Sequence, residues 1–178
     1  RTPRNALVAQ LQTSLSAVTS FEARCEALRR FKRREMLRIG IRDLLGIATP
    51  VETYTVLSEL AGTVIQASYD LVDQNLRKRF GRFGRAASIE GTSEGFSVLA
   101  MGKLGGWELN YSSDVDLIYV YHAPTGNTKA GKGQTSISRM LYCETLAREL
   151  TAVLTAATSE GTLFRVDLRL RPEGDRNS

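Results

Sequence analysis

The sequence predicts an α+β fold in which a small mixed sheet, covered by helices, follows a helical N-terminal region. Three observations favour this class. Apolar residues recur at helical spacing over about residues 5–80, two short segments within residues 96–121 resemble strands, and residues 164–171 alternate strictly between apolar and charged. Together these patterns predict helices first and the sheet afterwards.

The helical region is predicted from its periodicity and from one break. Three leucines spaced by four residues indicate a first helix: Leu7, Leu11 and Leu15. Gly46 and Pro50 interrupt the pattern, and a second long helical pattern then continues to about residue 79. We assign residues 1–85 to the helical region and residues 86–178 to the domain that follows it.

A glycine-containing turn follows the first predicted strand, Phe96 to Met101. The segment Gly102-Lys103-Leu104-Gly105-Gly106 lets backbone N–H groups approach an anion without a Cβ in the way. The charge of Lys103 suits a phosphate. We therefore predict that Gly105, Gly106 and Lys103 hold phosphate groups. Trp107 is expected to pack the turn, with a place beside an adenine ring as the alternative.

Two aspartates mark the start of the second predicted strand, Asp114 to Tyr121. Residues two apart on a strand share a face, so Asp114 and Asp116 point the same way, and Val115 and Leu117 point into a core. Paired carboxylates beside a phosphate-binding turn favour Mg²⁺. Ser113, just before them, is either a phosphate contact or an ordinary turn hydroxyl.

The strongest strand signal in the chain is the alternating segment 164–171. One face is apolar and the other charged: Phe164, Val166, Leu168 and Leu170 against Arg165, Asp167, Arg169 and Arg171. If this strand pairs beside the second one, Asp167 becomes a third carboxylate, and three carboxylates can hold two metal ions. Arg169 and Arg171 would then bind phosphates through their planar forks.

A polar loop and a helix connect the second and third strands. The stretch from His122 to Gly133 is predicted to be a mobile loop. A helix is expected from an N-cap at Thr135 or Ser136 to about Thr158. His122 is expected to be exposed rather than catalytic.

Composition excludes several other classes of protein. The formal net charge is +5 and the pI is near 9.5, but a solvated helix face explains the basic run 29–38 better than a nucleic-acid surface, since aromatic residues for base stacking are scattered. We expect Cys25 and Cys143 to be reduced structural thiols. The sequence contains neither a membrane span nor a signal peptide. The start at Arg1 without methionine suggests an excised fragment of a cytoplasmic enzyme.

Each signal alone is weak: most D-x-D pairs and glycine pairs are structural, and an arginine-rich strand is usually a solvated sheet face. Their order along the chain, however, is that of the nucleotidyltransferase superfamily to which polymerase β belongs. Two long segments closely resemble the glutamine synthetase adenylyltransferase family: AMGKLGGWELNYSSDVDLIY at 100–119 and FRVDLRLRPEG at 164–174. The helical segment LRRFKRREMLRI at 28–39 is also similar to that family.

This resemblance implies a polymerase β-like nucleotidyltransferase fold and a Mg²⁺-dependent enzyme. Asp114, Asp116 and Asp167 would be the catalytic metal ligands, with ATP, ADP and inorganic phosphate as substrates or products. Members of the family carry two such domains, one removing AMP from a tyrosine of glutamine synthetase by phosphorolysis and one adding AMP from ATP. They also respond to the signal protein PII. The residues around Asn110 and Arg165 resemble the removing domain more closely than the adding domain.

Three alternatives remain open at this stage. The domain could add AMP instead of removing it, because the same carboxylates serve both directions. It could be a nucleotidyltransferase acting on RNA or on a small molecule. It could also be a non-catalytic docking module with a degenerate transferase fold, although the three intact aspartates argue against that.

Overall fold

A computed structural model describes residues 4–82, 95–122 and 125–168 of the chain. Its helices and strands follow in the order α1 (Arg4–Ser16), α2 (Phe21–Leu44), α3 (Pro50–Phe80), β1 (Phe96–Met101), α4 (Gly102–Gly105), β2 (Val115–Tyr121), α5 (Arg139–Thr155) and β3 (Val166–Asp167). The helix-rich α+β class, with a small mixed sheet, is therefore confirmed.

Side-chain caps determine where α2 and α3 begin. Ser20 Oγ accepts a hydrogen bond from the backbone N–H of Ala23 at the start of α2. Thr49 and Glu52 form a reciprocal capping box, and Pro50 occupies the first turn of α3, where its missing N–H costs nothing. The predicted break near Gly46 and Pro50 is therefore the turn between two capped helices.

Helix α3 is the centre of the molecule. It is buried on nearly every side and contacts α1, α2 and α5, as expected for a helix without a solvated face. The core continues from α3 into the inner side of the sheet, where Val115 is 0% and Leu117 is 1% exposed.

The sheet has the strand order β1-β2-β3. Strands β1 and β2 are antiparallel, with Met101 opposite Asp116, and β2 and β3 are parallel, with Asp116 opposite Asp167. The predicted strand 164–171 appears as the short strand β3, and residues 169–171 lie outside the described residues. The predicted pairing of the third strand beside the second is confirmed.

Helix α5 begins later than the sequence suggests. Its N-cap is Ser138, which accepts from the N–H of Leu141, rather than Thr135 or Ser136. Residues 136–137 are held elsewhere, because Ser136 Oγ donates to the carbonyl of Thr128 and Ile137 O accepts from the N–H of Thr128. Because these two residues pair with Thr128, the helix begins only at Arg139.

The basic face of α2 is mostly engaged within the protein. Arg29 is buried, and its guanidinium donates to the carbonyls of Val153 and Ala156 at the C-terminal end of α5. A cation is favourable there because the last carbonyls of a helix lack partners within it. Arg33 pairs with Glu160 at 2.7 Å. A solvated helix face is therefore only part of the explanation for this basic run.

The remaining composition-based expectations concern the cysteines and the membrane. Cys25 and Cys143 are both free and buried, as predicted for structural thiols, and burial raises the pKa of Cys25 to about 11. None of the helices among the described residues is both long and apolar enough to traverse a bilayer.

Candidate active site

Strand register brings two of the predicted carboxylates together. Asp116 on β2 and Asp167 on β3 are direct neighbours across the parallel pair, whose backbones lie about 4.8 Å apart in any sheet. Asp114 immediately precedes β2, two residues before Asp116 and thus on the same side of the chain. All three candidate catalytic residues therefore lie at one end of the sheet, around the start of β2.

The turn after β1 approaches Asp116 closely. Gly102 has a φ of +52°, and a Cβ on it would lie 2.1 Å from Oδ2 of Asp116. The backbone conformation favours glycine at this position, and a Cβ would displace the Asp116 carboxylate. The close approach places the Asp116 carboxylate directly against the turn.

The predicted glycine turn is a single helical turn, α4. The N–H of Gly106 donates to the carbonyl of Gly102 at 3.0 Å, so this N–H is already used within the turn. A Cβ on Gly105 would lie 2.6 Å from the carbonyl oxygen of Ala100, so glycine is needed there for close packing. Lys103 is exposed, and its role towards phosphate stays a prediction.

Trp107 lies at the end of this turn in an unusual conformation. Its φ is +60°, a value that non-glycine residues adopt at an energetic cost, and the residue is 50% exposed. It lines a cavity of about 540 Å³ between α3 and β1, together with Tyr69 and Phe96. Half of Trp107 faces solvent, and its expected packing against the turn stays a prediction.

The loop from Trp107 to Asp114 is anchored on the helical region. The backbone N–H of buried Leu109 donates to Ser58 Oγ on α3 at 3.1 Å. The hydroxyl of Tyr111 donates to Oδ2 of Asp43 on α2 at 3.1 Å, and Thr53 donates to the other oxygen of that carboxylate. Helices α2 and α3 thus hold the loop that carries the aspartates.

The Asp43 carboxylate also changes the acidity of Tyr111. Desolvation by burial, followed by the hydrogen bond and the negative charge of Asp43, raises the pKa of the Tyr111 hydroxyl to about 12. The tyrosine therefore remains a hydrogen-bond donor throughout the neutral range. Sequence reasoning missed Asp43, Ser58 and Tyr111, because no local pattern links residues this far apart in the chain.

Asp114 has an arginine partner. Arg165 Nε lies 2.5 Å from Oδ1 of Asp114, and Arg165 Nη2 donates to the carbonyl of Ser112 at 2.7 Å. This pair is well exposed, so it contributes little to stability. Ser113 Oγ donates to Oδ1 of Asn110 at 2.6 Å, a contact within the turn, and its role towards phosphate stays a prediction.

The donor set has the chemistry of a Mg²⁺ site, although the present side-chain positions do not form one. Three carboxylates at one end of a sheet offer the hard oxygen ligands that Mg²⁺ prefers. Among residues 4–82, 95–122 and 125–168, no three His, Cys, Asp or Glu side chains are grouped closely enough to share a metal ion. The Asp114 carboxylate faces Arg165 instead. Arg169 and Arg171 lie outside the described residues.

Comparison of the sequence with known proteins assigns the chain to a family. The family model described as glutamate-ammonia ligase adenylyltransferase matches residues 2–178. Curated relatives are each called bifunctional glutamine synthetase adenylyltransferase/adenylyl-removing enzyme. The relative from Nitrosococcus oceani is 41% identical over 169 residues, which is 94% of this chain. The one from Haemophilus ducreyi is 39% identical over 154 residues, which is 86% of this chain.

These relatives are much longer than the chain. The matched segment covers 16% of the length of each of those two proteins, and 18% of the relative from Shewanella frigidimarina, which is 34% identical over 172 residues. The chain therefore matches only one part of each of these relatives.

Proposed function

The chain belongs to the glutamate-ammonia ligase adenylyltransferase family, and we propose that it removes AMP from a tyrosine of glutamine synthetase by phosphorolysis. The observation that carries the proposed AMP transfer is the pairing of Asp116 with Asp167 across β2 and β3, with Gly102 packed against the Asp116 carboxylate. The removing direction rests on the resemblance of the residues around Asn110 and Arg165 to the removing domain of the family. Carboxylates that lie together at one end of the sheet, beside a tight turn, suit the transfer of a phosphoryl group.

In the proposed reaction an oxygen of inorganic phosphate attacks the phosphorus of the bound AMP. The bond from that phosphorus to the tyrosine oxygen breaks, the phenolate leaves with the electron pair, and ADP is released. Negative charge grows on the phosphoryl oxygens as the bonds change, so positive charge nearby lowers the barrier. Among the described residues, Lys103 and Arg165 are the basic side chains nearest in sequence to the three aspartates.

We assign Asp114, Asp116 and Asp167 to holding Mg²⁺. When bound, Mg²⁺ would supply positive charge to the transferring phosphoryl group and help to orient it. Binding requires Asp114 to exchange its contact with Arg165 for the metal ion, which frees the guanidinium to face a phosphate. Arg169 and Arg171 are proposed to bind phosphates from the continuation of β3.

The wider assignments are also proposals. We infer a polymerase β-like arrangement, in which the helical region supports the sheet through the contacts of Ser58 and Asp43. Glutamine synthetase is the proposed protein substrate, and the signal protein PII the proposed regulator of the whole enzyme. We place the enzyme in the cytoplasm.

The test is an assay of ADP release from AMP-modified glutamine synthetase with Mg²⁺ and inorganic phosphate. The double variant Asp114→Asn with Asp116→Asn should lower the rate by about 10²-fold or more, since it removes two of the three carboxylates assigned to hold Mg²⁺. Glu144→Gln, an exposed change on α5, serves as the control and should leave the rate unchanged.

Two results would overturn the proposal. AMP incorporation from ATP into unmodified synthetase, without ADP release, would assign the chain to the adding reaction. ADP release that survives in the double variant would show that these aspartates do not carry the chemistry.

A further inference from the structure

We propose that a cavity lined by Lys32 and the loop 109–113 binds the inorganic phosphate that attacks AMP. This inference rests on the proposed phosphorolysis and locates one of its substrates. The cavity has a volume of about 240 Å³ and lies between α2, α3, the loop and the segment before β3. It borders the candidate active site, because its wall includes Ser113 and Arg165, the direct neighbours of Asp114 in sequence and in space.

The charge of the cavity favours an anion. Its basic lining residues are Lys32 and Arg165, of which Arg165 is paired with Asp114, and none of its described lining residues is acidic. Other basic residues of α2 have carboxylate partners: Arg33 pairs with Glu160, and Arg38 with Glu35. Lys32 forms no ion pair with a carboxylate of the described residues; its ammonium group lies 4.9 Å from the centroid of the Phe164 ring.

Lys32 is held in an apolar setting. The floor of the cavity is formed by aliphatic and aromatic side chains that include Leu57, Leu60 and Leu163. Burial lowers the pKa of Lys32. A partly desolvated cation without a carboxylate partner gains more from an anionic ligand than a solvated one does.

Polar groups for a phosphate lie on the loop side of the cavity. The hydroxyl of Ser112 and the amide of Asn110 belong to residues that line it, and the hydroxyl of Ser113, another lining residue, donates to Asn110. Since Oδ1 of Asn110 accepts from Ser113 Oγ, the NH₂ group of that amide remains as a donor. A cation on one wall and short polar side chains on the other match the needs of a small oxyanion.

The size of the cavity argues for phosphate rather than a nucleotide. Clefts for drug-sized ligands usually measure about 300–1,000 Å³, and this one is smaller. Phosphate placed here would lie near Arg165, which contacts Asp114. One of its oxygens would form the new bond to the AMP phosphorus, and the electron pair of the broken bond would leave with the tyrosine oxygen.

The experiment measures phosphate binding directly, without divalent metal and without the protein substrate. Inorganic phosphate is titrated into the 178-residue chain by calorimetry, with sulfate and acetate as comparison anions. Lys32→Met keeps the apolar stem of the side chain and removes the charge. We expect it to weaken phosphate binding by about tenfold or more. Lys132→Met, an exposed change on the loop before α5, is the matched control and should bind as the wild type does.

A second readout links the cavity to the reaction. In the ADP-release assay, Lys32→Met should raise the KM for phosphate by a similar factor and leave the KM for modified synthetase unchanged. Lys32→Arg should restore part of the affinity, which a merely structural role would not predict. Thermal unfolding of each variant checks that it is folded.

The outcomes separate the two proposals. Phosphate binding that depends on Lys32, without any ADP release, would support the anion site and overturn the proposed function. ADP release with an unchanged KM for phosphate in Lys32→Met would support the function and overturn the site. A wild-type chain that binds no phosphate, or that binds acetate equally well, would also overturn the site.

Discussion

The two faces of the sheet differ sharply although the same strands build both. On the inner face, Val115 and Leu117 are almost fully buried against the helices. On the outer face, Asp116 is flanked by exposed Leu99 and Met101. Because side chains alternate along β2, one face of the strand packs in the core and the other carries the candidate site residue Asp116. A substitution should affect folding or activity according to the face on which it lies.

The largest stability effect should come from the inner face. Leu117→Ala removes a side chain that is 1% exposed and leaves a cavity in the core, so it should lower the free energy of unfolding by about 2–5 kcal/mol. Urea denaturation measures this difference. Val120→Ala on the outer face of the same strand is the control, with an expected change of about 0.5 kcal/mol or less. Equal losses for both would break the comparison.

Gly102 tests the close contact between the backbone of the turn and Asp116 on the outer face of the sheet. Gly102→Ala should cost about 1–2 kcal/mol, because φ is positive, and it should also displace the Asp116 carboxylate and reduce ADP release. Gly46→Ala is the matched variant, since Gly46 also has a positive φ but has no atom within 4 Å of the place that a Cβ would take. It should lose stability and keep activity. Full activity in Gly102→Ala would contradict the assigned contact.

Ser58 tests whether the helices position the site loop. Ser58→Ala leaves the buried N–H of Leu109 without its partner, which should cost about 1–3 kcal/mol and lower the rate of ADP release. Thr55→Ala, also on α3, removes the hydrogen bond from Thr55 to the helix carbonyl of Val51 together with one methyl group. If both variants behave alike in unfolding and in activity, the contact with Leu109 has no positioning role.

The smallest expected effect is the pH dependence contributed by Tyr111. Its pKa is raised from 10.0 to about 12 in the folded chain, so the folded state keeps the proton longer than the unfolded state does. The stabilisation is therefore complete below pH 10 and is lost as the pH rises towards 12. The stability difference between wild type and Tyr111→Phe, about 1 kcal/mol or less, should shrink across that window. A difference that stays constant between pH 9 and 12 would contradict this assignment.

Local patterns predicted the parts of the fold that depend on local chemistry. The apolar run of β1 and the alternation along β2 identify both strands, and Asp167 falls beside Asp116 because its strand alternates in the same way. The late start of α5 escaped prediction, since the competing partner of Ile137 is Thr128, in a loop with no periodic signal. The Arg165 contact with Asp114 escaped it too, because it joins residues 51 apart through side chains alone.

The parallel pairing of β2 with β3 also sets the order in which the candidate site can be assembled in the cell. Asp167 leaves the ribosome about 50 residues after Asp116, a delay of roughly 3–10 s at ordinary rates of synthesis. During that interval the emerging chain carries only the first two carboxylates. The candidate site can therefore be completed only after β3 has emerged, when the helices that precede it in the chain have already had time to form.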